Sequence, residues 1–252
     1  MTTHLVEIDQ ATRRFGGVLA VDRVSSHVDE GELVGLIGPN GAGKTTLFNL
    51  ISGFTPLSAG TVRFRGRTIN GMRPNQVARL GLGRTFQNLR VFPNMSVFDN
   101  VSVGAVGTLP QGPFGALFAR DGRARDISDR TWHALELAGL TGVADELAAN
   151  LSYGKRKYLE IARALAMQPK FLILDEPAAG LNDTETRDLA AFIRRLHAGG
   201  LTIMLVEHDM NLVMGICQRV IVLASGRKIS DAPPEEVRRT PAVLEAYLGT
   251  DE

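Results

Sequence analysis

The chain has 252 residues, 44% hydrophobic and 22% charged, with 28 Lys plus Arg against 27 Asp plus Glu. A chain this long buries about three-quarters of its unfolded surface as one large α/β domain or two small ones, without staples. The net charge of +1 excludes the basic footprint of a general nucleic-acid binder, and the single Cys217 excludes a disulfide framework or Cys-based zinc site within one chain.

Glu7 and Asp9 stand where a cleavable export signal would need an apolar core. No run of about 18 apolar residues is present to cross a bilayer, so any membrane role is expected to be peripheral. Residues 5–8, 18–28 and 61–64 alternate or carry β-branched side chains between turn signals, which predicts antiparallel strands near the N-terminus. Residues 33–37, 171–174 and 202–206 are short and apolar throughout, as buried parallel strands are.

Helices are predicted over 44–52, 74–80, 96–106, 126–140, 154–167, 183–197 and 208–216. In the 154–167 helix, Tyr158, Ile161, Ala162 and Leu165 share one face, and Arg156, Lys157 and Arg163 are expected off it. Residues 104–125 are rich in Gly, Pro and Arg without a clean period and read as a loop or insertion, with Phe114, Leu117 and Phe118 expected to pack locally. Pro233-Pro234 and Pro241 open two short helical segments, the second closing at Gly249.

The strongest chemical signal is Gly38-Pro39-Asn40-Gly41-Ala42-Gly43-Lys44-Thr45, which follows the apolar strand 33–37 and opens a helix. This is a phosphate-binding loop in its required context, strand then glycine-rich turn then helix. Glycines let a concave run of backbone N–H groups approach an anion, and the helix N-terminus adds partial positive charge. Lys44 is expected to reach the β- and γ-phosphates and the Thr45 hydroxyl to ligate Mg²⁺, with Thr46 next in the same cradle.

A second anchor comes from four buried strand residues ending in two acids, Asp175 and Glu176. Asp175 is expected to hold the metal through water, and Glu176 to polarise the attacking water. These two motifs alone say only that the chain is a P-loop NTPase.

Leu151-Ser152-Tyr153-Gly154-Lys155 narrows the choice. Standing at the start of the amphipathic helix, it resembles the LSGGQ signature of the nucleotide-binding subunits of ABC transporters. Other family elements follow in order: Phe15 resembles the aromatic that stacks on adenine, Gln87 the glutamine that senses Mg²⁺ and water, and His208 the switch histidine at the γ-phosphate. His4, His27, His133 and His197 receive no role.

That resemblance implies an α/β fold: a P-loop NTPase core with a mostly parallel sheet, an N-terminal antiparallel β subdomain and a helical signature subdomain at about 88–168. The whole of 1–252 forms one domain in this reading. It also implies that Ser152 and Gly154 of one subunit face the ATP bound by another, so that two chains, two copies or this chain with a second ATPase, sandwich two ATP. Tyr153 and Lys155 depart from the signature, and Asn182 stands where the family's segment 179–182 ends in Asp.

Those departures, with the wording of residues 14–17, 175–182 and 245–249, are similar to the ATPases of high-affinity branched-chain amino acid importers, and the 104–125 insertion resembles the longer of that importer's two ATPases. The implied partners are integral membrane permease subunits, docked near Gln87, Asn88, Leu89, Val91 and Phe92, and indirectly a solute-binding protein, with no nucleic acid. The implied place is the cytoplasmic face of a prokaryotic cell membrane. Two alternatives stay open: the ATPase of another transporter, for urea, amides or lipopolysaccharide, and a soluble non-transport ABC ATPase.

Overall fold

The computed structural model describes residues 4–86, 89–107 and 120–248. Strands β1 (Val6–Phe15), β2 (Val18–Val28), β4 (Ala59–Phe64) and β5 (Arg67–Thr68) form an antiparallel sheet in the order β2-β1-β4-β5. Between β2 and β4 the chain enters the second sheet through β3 (Leu33–Ile37) and then α1 (Lys44–Ile51).

The second sheet has the order β10-β9-β3-β8-β7-β6, from β6 (Leu82–Arg84), β7 (Phe171–Asp175), β8 (Thr202–Val206), β9 (Arg219–Ala224) and β10 (Arg227–Ala232). All neighbours in it pair in parallel except β9 and β10. The apolar strands have no polar face because both faces are covered. Leu33 and Ile37, Leu172 and Leu174, and Ile203 and Leu205 enter one core. Their alternate neighbours Val34 and Leu36, Phe171 and Ile173, and Met204 and Val206 enter the other.

The helices are α2 (Pro74–Arg79), α3 (Val97–Gly107), α4 (Arg120–Ala138), α5 (Tyr153–Leu165), α6 (Asp183–Ala198), α7 (Met210–Ile216), α8 (Pro234–Val237) and α9 (Pro241–Leu248). Helix α6 starts where Asn182 accepts from the Thr184 and Glu185 N–H groups while the Glu185 carboxylate accepts from the Asn182 N–H, a reciprocal cap. Asp209 caps α7, its side chain accepting from the N–H groups of Asn211 and Leu212, so that helix begins two residues later than the predicted 208.

The expected loop over 104–125 is corrected at both ends. Residues 104–106, which fall in both the predicted 96–106 helix and the expected loop, finish α3 with Gly107, and residues 120–125 begin α4; Phe114, Leu117 and Phe118 lie outside the described residues. Gly104, where the predicted helix and the expected loop overlap, is buried in a helix crossing, where a Cβ would come within 2.0 Å of the Arg163 carbonyl oxygen. The sequence reading also passed over β6, β9 and β10. Among the described residues no helix is long and apolar enough to cross a membrane.

Candidate nucleotide site

The carboxyl ends of β3, β7 and β8 lie side by side in the sheet, as Leu36 pairs with Val206 and Asp175 with Val206. The groups that follow these strands therefore converge, where open α/β sheets bind ligands. From β3 comes the glycine-rich loop. Gly43 caps α1 with φ +97, and a Cβ there would lie 2.4 Å from the Ala20 carbonyl oxygen; at Gly38 a Cβ would lie 2.1 Å from that of Leu223. Only glycine lets the loop lie this close to β2 and β9.

The resulting cleft, about 280 Å³, is lined by Ala20, residues 40–46, Glu176 and His208. Lys44 is buried, and its ammonium donates to the carbonyls of Gly38 at 2.6 Å and Pro39 at 3.1 Å. Burial lowers its pKa, and the nearby Glu176 charge raises it. An anion entering this cleft would relieve the desolvation of that ammonium.

Asp175 ends β7 and is buried, its N–H donating to the Thr85 hydroxyl at 3.1 Å. Arg84 stands 3.9 Å from its carboxylate. Thr45 and Asp175 supply hard oxygen donors, which suit Mg²⁺. Glu176 has φ +47, an uncommon left-handed conformation for a residue with a side chain. Its carboxylate meets His208 Nε2 at 2.6 Å.

Ser152 and Gly154 are not among the residues lining this cleft. Ser152 caps α5, its hydroxyl accepting from the Lys155 N–H, and Gly154 is buried against Glu185. Phe15 ends β1 half-exposed, with the Arg13 guanidinium 4.4 Å over its ring. Gln87 and Asn88 lie outside the described residues. Leu89 and Val91 are half-buried and Phe92 is exposed, beside the Arg163 guanidinium.

The sequence reading missed residues that shape the site. Lys157, expected off the packed face of its helix, is 3% exposed, because its ammonium reaches the Glu176 carbonyl at 3.4 Å. Glu207, next to His208, is 4% exposed and accepts from the N–H groups of Ala178 and His208. Burial raises its pKa, partly offset by those N–H groups. A charged residue wedged between Val206 and a site histidine was the only signal available.

Residues 21–179 match the family described as ABC transporter. The chain belongs to the ABC transporter ATP-binding family. Within this cassette, residues 227–252 match the family described as branched-chain amino acid ATP-binding cassette transporter. The cassette is 45% identical to the high-affinity branched-chain amino acid transport ATP-binding protein LivG of Salmonella typhimurium, and 42% to BraF of Pseudomonas aeruginosa, each alignment covering 99% of both chains.

Among solved structures it is similar to an ATP-binding cassette of an ABC transporter in its ADP conformation, at 30% identity and TM-score 0.86, covering 98% of this chain and 100% of that one. The family and the branch that the sequence resembled both stand, as does the expected α/β class.

Proposed function

We propose that the cassette hydrolyses ATP to drive an importer for branched-chain amino acids. The observation that carries the reading is the convergence of the glycine-rich loop, Glu176 and His208 on one cleft, in a chain whose full-length relatives are named for branched-chain amino acid transport.

In this reading residues 38–46 cradle the phosphates, and Lys44 exchanges its carbonyl partners for the β- and γ-phosphate oxygens. Phe15 stacks on adenine. Thr45, Asp175 and Gln87 are the residues that would hold Mg²⁺, which when bound neutralises charge on the β- and γ-phosphates. His208 shifts from Glu176 toward the γ-phosphate, freeing the carboxylate. Glu176 then takes a proton as the water oxygen bonds to the γ-phosphorus and the bond to the bridging oxygen breaks, releasing ADP and phosphate.

Because Ser152 and Gly154 stand off the cleft of their own chain, they fit the second half of a site completed by another ATPase subunit or a second copy. Closure would then depend on the γ-phosphate, and its loss would permit opening. Integral membrane permease subunits would dock at the groove of about 310 Å³ lined by Arg84, Phe86, Val103, Glu160, Arg163 and Met167, which the chain leaves at Phe86, the residue before Gln87 in the sequence. In this reading the cassette works on the cytoplasmic face of the membrane, and the solute-binding protein contacts the permease rather than this chain.

The test is phosphate release and light-scattering mass for wild type and Glu176→Gln in Mg-ATP. The variant is expected to hydrolyse at least about a hundredfold more slowly, about 2.7 kcal/mol in the barrier, and to shift toward a dimer. Hydrolysis at the wild-type rate would overturn the role of Glu176. Reconstitution with the permease and uptake of labelled leucine against urea tests the solute, and uptake of urea alone would overturn the importer reading.

A further inference from the structure

The segment 177–182, between Glu176 and helix α6, is gripped from two sides by side chains that the catalytic reading leaves without a task. On one side stands Glu207. One carboxylate oxygen accepts from the Ala178 N–H at 2.7 Å and the other from the His208 N–H at 3.1 Å, so one buried group ties this segment to the histidine of the cleft. Such a bidentate, desolvated acceptor holds geometry strongly, because leaving either N–H without a partner is costly.

On the other side stands the first turn of α5. The Tyr153 hydroxyl donates to the Ala179 carbonyl at 3.2 Å. Its ring lies on Gly180, at φ +81, so closely that a Cβ there would come within 3.0 Å of a ring carbon. Lys157, one turn on, donates to the Glu176 carbonyl and carries its ammonium 5.6 Å from the Tyr153 ring centre. Tyr153 is one of the two residues that depart from the family signature, and the structure gives that departure a contact: the ring occupies the space over a residue that has no side chain.

We propose that Glu207 and Tyr153 are positioning residues that clamp segment 177–182, so that a displacement of the Ser152 end of α5 reaches Glu176 and His208 in the same chain. The inference rests on the reading of Ser152 as a contact to the other subunit's nucleotide. Under that reading, each subunit senses the site it completes in its partner and aligns its own base accordingly. The Asn182 side-chain oxygen is committed to the cap of α6, so across the dimer its side chain has only its NH2 group to offer, as a donor.

The experiment uses the full chain and three variants, Glu207→Gln, Tyr153→Phe and Tyr153→Gly. Glu207→Gln keeps an acceptor for Ala178 but turns an NH2 group toward the His208 N–H. It is expected to lower kcat at saturating ATP by about tenfold or more while KM for ATP moves less than about threefold. Tyr153→Gly is expected to speed amide hydrogen exchange over 177–182 about tenfold or more, with Tyr153→Phe intermediate because the ring remains.

Proportional losses in kcat and KM, or a wild-type kcat in Glu207→Gln, would overturn the clamp, as would unchanged exchange in Tyr153→Gly. Amide exchange needs no turnover. If the wild type fails to hydrolyse ATP both alone and together with its second ATPase subunit and permease, the functional reading falls while the exchange result still decides the clamp; if wild type is active and Glu176→Gln is not, a negative result falls on the clamp alone.

Discussion

The two ends of the six-stranded sheet are built on opposite terms. At the amino ends of β3 and β9, Arg219 is saturated. Its guanidinium reaches Glu32 at 2.6 and 2.9 Å, Asp231 at 2.5 Å and the His27 carbonyl at 2.6 Å, and Lys228 and Ser26 complete the shell of Asp231. Burial would depress the Arg219 pKa, and the hydrogen bonds and charges of Glu32 and Asp231 outweigh it and push it up. At the carboxyl ends, Lys44 is a buried cation held by carbonyls, Glu176 sits at a left-handed φ, and Glu207 is a buried carboxylate held by N–H groups. One end closes its charges on themselves and secures the fold; the other leaves charge and strain in reserve for a ligand.

The widest separation between the ends is expected from Lys44→Ala. Removing the ammonium should weaken ATP binding by about a thousandfold, about 4 kcal/mol, while thermal stability stays level or rises because a desolvated charge is gone. Fluorescence titration with a labelled ATP analogue and a thermal melt on the same sample check both halves. A parallel loss of stability would mean that this end also carries the fold. Next in size is Arg219→Met, which strands two acids that are each 14% exposed. It should cost about 3 kcal/mol, lowering Tm by about 6–12 °C at this chain length, with kcat unchanged.

How far each end could be read from the chain follows from the range of the forces that shape it. Residues 38–45 were legible because a phosphate cradle is backbone chemistry written in consecutive residues, and the Asp175-Glu176 pair because a buried strand ending in two acids is local too. The Arg219 cluster was not, since Glu32 and Asp231 lie 187 and 12 positions away along the chain. Lys157 read as a solvated residue for the same reason: its partner is a carbonyl on another strand's end. Gly104 marks the start of the expected loop, yet it serves a helix crossing with Arg163, a partner far along the chain. Strand β9 is a short apolar run directly after a helix, too short to show a period of its own.

A smaller effect distinguishes the ends by pH. Asp231 has its pKa lowered below its ordinary 3.8: burial would raise it, but hydrogen bonds from Lys228 and Ser26 and the Arg219 charge outweigh that. A depressed carboxylate contributes stability that is complete above its unfolded value and is lost as pH falls through the folded one. Urea midpoints measured from pH 5 down to pH 2.5 should therefore fall in the wild type, and fall less steeply in Arg219→Met. An equal slope in both would show that Arg219 does not set the acid limit of the fold.

The smallest effect is the one that tests strain at the functional end directly. Glu176→Ala and Glu176→Gly both delete the carboxylate and its contact to His208, so hydrolysis should be lost equally in both. They differ in the backbone. Alanine still has to adopt φ +47, which costs an L-residue about 1 kcal/mol, whereas glycine takes that conformation freely. Glycine has more backbone freedom to lose on folding, which works the other way by about 0.5–1 kcal/mol where no strain is relieved. The Gly variant should therefore melt level with or above the Ala variant by up to about 1–2 °C, against the usual order of the two residues. If it melts clearly below, the left-handed turn at Glu176 stores no strain, and the contrast between the two ends reduces to charge alone.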